Sequence, residues 1–261
     1  MIDLKVDGRG VAVLTLDRAA KHNALSQDMI DALREAAADI AGRRDIRVVV
    51  LTGAGASFCA GGDLAWMQAQ MHGDDAMRRQ AATSLAGMLG ALDALPQPLI
   101  GRVNGNALGG GVGLACVCDM AIGAAEARFG LTEVRLGLIP ATIGPYVLAR
   151  MGAARARQVF MSGRTFDATE AMRLGIVARV VDAAGLDAAV AAEVAPYLSA
   201  APGAVAAAKR YARGLGPRID DAVIAASIDA LIAQWRSEEA KEGISAFFDR
   251  RKPDWSAESG G

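Results

Sequence analysis

The residues able to do chemistry are few. One is a carboxylate, Glu133, in the apolar run Phe129-Gly130-Leu131-Thr132-Glu133-Val134-Arg135-Leu136-Gly137-Leu138-Ile139-Pro140. The others are two glycine-rich loops, Gly53 to Gly62 and Asn104 to Gly111. Each loop follows an apolar strand and precedes a helix. Glycine lets a ligand approach the backbone, and a helix N-terminus offers unpaired N–H groups at the positive end of its dipole. Two such loops facing one another would aim two donors at one oxygen, the arrangement of an oxyanion hole. A carboxylate beside it in an apolar pocket would have its pKa raised into a range useful for proton transfer. On residue types alone, plain turns and a surface Glu133 paired with Arg135 explain the same pattern.

Spacing argues against other chemistries. Gly53-Ala54-Gly55-Ala56-Ser57 lacks the Lys-Ser/Thr of a phosphate-binding loop, and Gly109-Gly110-Gly111-Val112-Gly113 has the wrong glycine spacing for a dinucleotide fingerprint. There is no Gly-x-Ser-x-Gly elbow. Cys59, Cys116 and Cys118 do not make a disulfide framework, and His22 and His72 lie far from them, so no metal is expected. A net charge of −1 argues against nucleic acid. No segment reaches the roughly 18 uninterrupted apolar residues of a transmembrane helix. Met1 to Lys5 reads as a strand and not as a signal peptide, so a soluble, cytoplasmic protein without a membrane partner is expected.

The elements that must position these residues follow from periodicity. Ile2 to Val6 and Val11 to Leu16 read as a hairpin around Asp7-Gly8-Arg9-Gly10. Ser26 reads as the N-cap of a helix through about Ile40, with Met29, Ile30, Leu33, Ala37 and Ile40 at helical spacing. Arg47 to Thr52 is a strand covered on both faces. A helix from about Asp63, a second from about Ala76 to Leu95, and strands at Leu99 to Val103 and Asp119 to Gly123 continue an α/β pattern with a largely parallel sheet. Beyond Ala141 helices dominate, with a strand at Ile176 to Val181 and a last helix from Ile219 to Phe248. The division is an α/β core over residues 1–200 and a helical region over 201–261. No internal repeat is visible in the sequence.

Five segments together resemble the enoyl-CoA hydratase/isomerase (crotonase) family. Lys21-His22-Asn23-Ala24-Leu25-Ser26 resembles its CoA-entrance segment, and Ser57-Phe58-Cys59-Ala60-Gly61-Gly62-Asp63-Leu64 its first oxyanion loop. Asn104-Gly105-Asn106-Ala107-Leu108-Gly109-Gly110-Gly111 resembles the second loop. The Glu133 run resembles the catalytic-glutamate segment, and Glu242-Gly243-Ile244-Ser245-Ala246-Phe247-Phe248 the C-terminal helix. They occur in the family's order over nearly the whole chain.

The resemblance implies the ClpP/crotonase-like fold, a spiral of ββα units with a C-terminal helical trimerisation region, assembled as a trimer or dimer of trimers. It implies oxyanion donors at Gly62 and Gly110, and proton transfer by Glu133. Ala24 and Ala60 would offer backbone contacts to adenine, Lys21 would lie near the CoA phosphates, and Phe247 with Arg250 would reach CoA. Asp63, Leu64, Trp66, Met67 and Gly113 are carried over as substrate- or CoA-binding positions; Trp66 and Met67 would line the acyl pocket, with core packing as the alternative. Coenzyme A enters on an acyl-CoA substrate, and no other cofactor is implied.

The pattern departs from typical hydratases at one position, where Gly113 stands in place of their second glutamate. Gly113 is expected to make room for a branched acyl group. The wording around it, with Ala60-Gly61-Gly62-Asp63-Leu64-Ala65-Trp66-Met67, resembles bacterial methylglutaconyl-CoA hydratases, whose substrates carry a carboxylate. Arg135 is read as a structural salt bridge, with binding of that carboxylate as the alternative; Tyr146 is read as helix packing. For Asp63, Glu126 and Asp119, capping, surface and strand-end roles are expected. An enoyl-CoA isomerase, and from another class a non-catalytic acyl-CoA-binding or RNA-associated scaffold, are the competing functions.

Overall fold

Local chemistry sets the first elements as the sequence implies. Strands β1 (Ile2–Val6) and β2 (Val11–Leu16) pair antiparallel, with Ile2 opposite Leu16. The Asp7 carboxylate closes their turn by accepting from the Arg9 and Val11 N–H groups. Helix α1 (Gln27–Gly42) is capped by Ser26, whose Oγ accepts from the Met29 N–H, and it buries Met29, Ile30, Leu33, Ala37 and Ile40. The computed structural model describes residues 1–256, so the last five residues of the expected 201–261 region lie outside the described residues.

From here one geometric unit recurs. β3 (Val48–Gly53) leads into β4 (Ser57–Cys59), then helices α2 (Leu64–His72) and α3 (Asp75–Asp93). β5 (Leu99–Val103) leads into β6 (Asn106–Leu108) and α4 (Gly110–Val117). β7 (Met120–Ala124) leads into β8 (Arg128–Gly130), a single 3₁₀ turn at Glu133–Leu136, and helices α5 (Gly144–Met151) and α6 (Ala153–Phe160). The first strand of each unit joins a six-stranded sheet, and the second joins a four-stranded one. β9 (Thr165–Asp167), α7 (Ala168–Leu174) and β10 (Arg179–Val181) complete both, giving the orders β1-β2-β3-β5-β7-β10 and β4-β6-β8-β9. This is the ββα spiral of the crotonase fold.

β3 is buried throughout because both faces are covered. Val49 and Leu51 pack into the main core between the sheets, while Val48 and Val50 face Leu186, Val190 and Val194 of α8 (Leu186–Ser199). Fully burying each such side chain contributes about 1.5–3 kcal/mol. Helices α9 (Pro202–Leu215), α10 (Asp221–Trp235) and α11 (Glu238–Phe248) follow. α10 sets Ile228 and Ile232 against Ala82 of α3, and α11 packs Ala240 and Ile244 with Leu138 and Trp235.

Several expectations need correction. Both glycine loops contain three-residue strands, β4 and β6, and β8 and β9 carried no periodic signal either, because three residues cannot display an alternation. The expected helix from Ile219 to Phe248 is two helices. Ser237 caps α11 by accepting from the Ala240 N–H at 3.1 Å, and the chain turns there. The strand at Ile176 to Val181 shortens to β10. The three carboxylates have the roles expected of them: Asp63 caps α2, Glu126 is exposed, and Asp119 binds the Leu99 N–H at a strand end while pairing with Lys209 of α9. Among the described residues no single helix is long and apolar enough to cross a membrane; α8 with its preceding turn and α9 pass that test only together, and are bent by 109°.

Two glycines make opposite predictions. A Cβ on Gly111 would lie 2.2 Å from the Cys59 carbonyl oxygen, whereas one on exposed Gly87, inside α3, would meet nothing within 4 Å. Gly111→Ala is expected to lower Tm by about 3–10 °C through overpacking. Gly87→Ala is expected to raise it by a degree or more, through better helix propensity. Thermal unfolding followed by circular dichroism checks both; shifts in the same direction would contradict this packing.

Candidate active site

The two glycine loops meet at the start of α4. Gly61 (φ 94°) and Gly109 (φ 48°) adopt backbone conformations that favour glycine. A Cβ on Gly61 would lie 3.1 Å from the Leu108 carbonyl oxygen and 3.9 Å from the Gly109 Cα, so the loops touch without side chains between them. The first loop is pinned by Leu25, whose N–H donates to the Gly61 carbonyl at 2.7 Å and whose carbonyl accepts from the Asp63 N–H at 2.9 Å. That pairing skips the Gly62 N–H. Gly110 opens α4, and its N-cap, Gly109, has no side chain with which to cap it. Neither the Gly62 nor the Gly110 N–H has a backbone partner among the described residues. Two free donors, one at the positive end of a helix dipole, therefore line one cavity.

Glu133 lines the same cavity. A Cβ on Gly109 would lie 3.0 Å from its Oε1, which sets the carboxylate against the second loop. Its Oε2 is buried and has no hydrogen-bond partner. Burial pushes the Glu133 carboxyl up to about 7, partly opposed by a backbone hydrogen bond within the residue. The turn that carries it is closed by Gly137 (φ 69°), held by Gln234 of α10, whose Nε2 donates to the Gly137 carbonyl at 2.8 Å. An acid poised near neutrality beside two unsatisfied N–H groups can move a proton to or from a carbon next to a carbonyl, and hold the oxyanion so formed.

The cavity has a volume of about 510 Å³. Leu64, Trp66 and Met67 of α2 line it, as do Leu231 and Trp235 of α10 and Phe247 of α11. Ala60 also lines it, with its N–H donating to the His22 carbonyl and no partner for its own carbonyl among the described residues. Lys21, Ala24 and Arg250 are not among its lining residues. Lys21 and Arg250 are exposed, whereas Ala24 is buried, its N–H donating to Lys21 and its carbonyl accepting from Arg18.

Three expectations change. Asp63 does not line the cavity. Its carboxylate accepts from the Ala65 and Trp66 N–H groups and pairs with Arg18 at 3.0 Å. Burial alone would raise that carboxyl, but these donors outweigh it and hold it below the usual range. Gly113 does not open space for a substrate. A Cβ there would lie 2.7 Å from Cγ2 of Ile143, so Ile143 fills the position, and Gly113 is outside the cavity lining. Arg135 makes no salt bridge among the described residues; it is exposed and lines the cavity. Tyr146 is a packing residue, its hydroxyl 3.5 Å from the Ala86 carbonyl.

Sequence reasoning missed the cavity's other side. Arg78 of α3 stacks over Trp235 at 5.2 Å while donating to the Gln70 and Met71 carbonyls, a contact between helices far apart in sequence. The segment Pro140 to Ile143 also lines the cavity, including Thr142, whose buried Oγ1 has no partner. A threonine in the apolar stretch between Pro140 and Gly144 was the one available signal.

Comparison with known proteins agrees with this geometry. The enoyl-CoA hydratase/isomerase family model matches residues 7–258. The chain is 35% identical over 258 residues to the short-chain-enoyl-CoA hydratase of Clostridium acetobutylicum, covering 95% of each. It is 31% identical over 264 residues to the mitochondrial methylglutaconyl-CoA hydratase of Mus musculus, covering 98% of this chain and 82% of that one. The crystal structure of an enoyl-CoA hydratase from Shewanella pealeana matches with a TM-score of 0.80 at 36% identity, covering 97% of this chain and 95% of that one.

The desolvated carboxyl makes a prediction that needs no substrate. A carboxyl raised on folding binds more protons in the folded than in the unfolded chain between the ordinary glutamate range and about 7, so its contribution to stability falls as pH rises through that window. Glu133→Gln removes the dependence. The Tm of the Gln variant minus that of the parent is expected to grow from pH 5 to pH 7 and level off above; a difference independent of pH would place the carboxyl in solvent.

Proposed function

The chain belongs to the enoyl-CoA hydratase/isomerase (crotonase) family, and from that premise we propose that it adds water across the 2,3 double bond of a branched, carboxylated enoyl-CoA such as 3-methylglutaconyl-CoA. The observation that carries the reading is Glu133, unpaired at Oε2 and set against the loop whose next residue offers a free N–H. The thioester carbonyl accepts from Gly62 and Gly110. Glu133, ionised above about pH 7, takes a proton from water as its oxygen attacks C3, and the negative charge gathers on the held thioester oxygen. Glu133 then returns the proton to C2.

Coenzyme A arrives as part of the substrate. The Ala60 carbonyl accepts from the adenine amino group, Lys21 lies near the CoA phosphates, and Phe247 with Arg250 reaches CoA. The wording around Gly113 supports a carboxylated acyl group, as does Arg135, a cavity-lining cation without a salt-bridge partner among the described residues. The same reading carries a homo-oligomer, a trimer or dimer of trimers, supported by the exposed Tyr211 and Leu215 on α9. One observation favours double-bond isomerisation instead: Ile143 stands against Gly113, Glu133 is the one carboxylate among the described residues lining the cavity, and a single one suffices to shuttle a proton between C2 and C4.

Turnover of 3-methylglutaconyl-CoA, crotonyl-CoA and a 3-enoyl-CoA in ¹⁸O-water separates the two. Hydration predicts ¹⁸O in the product, a kcat/KM that rises through about pH 7, and a loss of about 10²–10⁴ in Glu133→Gln. Double-bond migration without ¹⁸O would mean isomerase. Arg135→Met is expected to raise KM for 3-methylglutaconyl-CoA at least about tenfold, the loss of one charged hydrogen bond, with crotonyl-CoA unaffected. Equal effects on both substrates would remove the carboxylate contact.

A further inference from the structure

Among the described residues, five buried side-chain atoms lack a hydrogen-bond partner. Three belong to Arg47, Gln97 and Arg150, none of which lines the Glu133 cavity and each of which donates through another atom to backbone carbonyls. The remaining two, Oε2 of Glu133 and Oγ1 of Thr142, belong to residues lining the cavity of the two free N–H groups. A buried hydroxyl without a partner costs stability, and native interiors rarely keep one without a reason. Thr142 has no capping role to explain it: the N-cap of α5 is Ile143, and no side chain caps that helix.

Its position follows from α4. Gly109 and Gly113 lie one turn apart on one face, the Gly113 N–H donating to the Gly109 carbonyl at 3.2 Å. Side chains with that spacing sit about 5–6 Å apart. The Glu133 carboxylate stands against the first of these glycines and Ile143 against the second. Thr142 immediately precedes Ile143 and lines the same cavity as Glu133, with its hydroxyl buried and unpartnered among the described residues.

We propose that Thr142 is a water-positioning residue: its hydroxyl supplies the second hydrogen bond to the attacking water, holding that water towards C3 while Glu133 takes its proton. This rests on the hydratase reading. As the water oxygen bonds to C3, one water proton passes to Glu133 and the C2–C3 π pair moves towards the thioester oxygen as an enolate. Glu133 then gives the proton to C2, leaving a 3-hydroxyacyl-CoA and the original carboxylate. The threonine hydroxyl keeps its proton throughout; it orients and does not titrate. One base together with one neutral hydroxyl thus suffices where no second carboxylate is present.

The test compares parent, Thr142→Val and Thr142→Ser in two assays. The first is hydration of 3-methylglutaconyl-CoA and crotonyl-CoA in ¹⁸O-water. The second is deuterium exchange at C2 of a 3-enoyl-CoA, which needs Glu133 and the oxyanion donors but no attacking water. Thr142→Val is expected to lower kcat for hydration about tenfold, the rate equivalent of one neutral hydrogen bond, with KM within twofold and C2 exchange unchanged. Thr142→Ser is expected to restore hydration to within about threefold of the parent. Because valine removes an unpaired polar atom, its Tm is expected to equal or exceed the parent's. Full hydration by Thr142→Val overturns the proposal, and so does a parallel loss of hydration, exchange and Tm. A parent that exchanges C2 protons but incorporates no ¹⁸O overturns the hydratase reading, and the water site with it.

Discussion

The site depends on one steric constraint, the contact of two backbones with no side chains between them. β4 and β6 pair in parallel, and the loops around them come so close that a Cβ on Gly105 would lie 2.0 Å from the Ala56 carbonyl oxygen and one on Gly111 2.2 Å from that of Cys59. Side chains at these positions would push the four-stranded sheet apart. With glycine there, the Gly62 and Gly110 N–H groups are left without backbone partners and line one cavity. That close approach brings together a donor that the Leu25 pairing skips and a donor at the start of α4.

The second requirement is desolvation, and it comes from a different part of the chain. Glu133 sits on a turn between β8 and α5, and its carboxyl is raised because apolar groups surround it and no cation pairs with it. Arg135, two residues away, leaves it alone. Asp63, at the end of the first loop, shows the contrast: it is held ionised by two N–H groups and Arg18. Environment separates the two carboxylates into a structural group and a titrating one.

Much of this was legible in the residues. The apolar run at Val48 to Leu51, the Ser26 cap and the hairpin turn each carry a local signal, and the structure places them within a residue or two of where that signal falls. The glycine loops and Glu133 could be named because five ordered motifs resemble one family. What failed was tertiary. Gly113 looks like empty space in one dimension, and only the fold shows Ile143 occupying it. Asp63 reads equally well as a ligand or a cap until its partners are seen. The three-residue strands are too short for any periodicity, and the Arg78–Trp235 contact joins helices with more than a hundred residues between them. The break at Ser237 hid inside a continuous helical pattern that only the capping hydroxyl interrupts.

The far wall of the cavity, Leu231, Trp235 and Phe247, comes from α10 and α11, which are translated after both sheets. On the ribosome the donor loops and the glutamate are therefore synthesised before the helices that shelter them. Without that wall Glu133 would stand in a more open environment, where water competes for the donors and the carboxyl has less reason to keep its proton. The enclosure that raises the carboxyl is thus completed only by helices that follow both sheets.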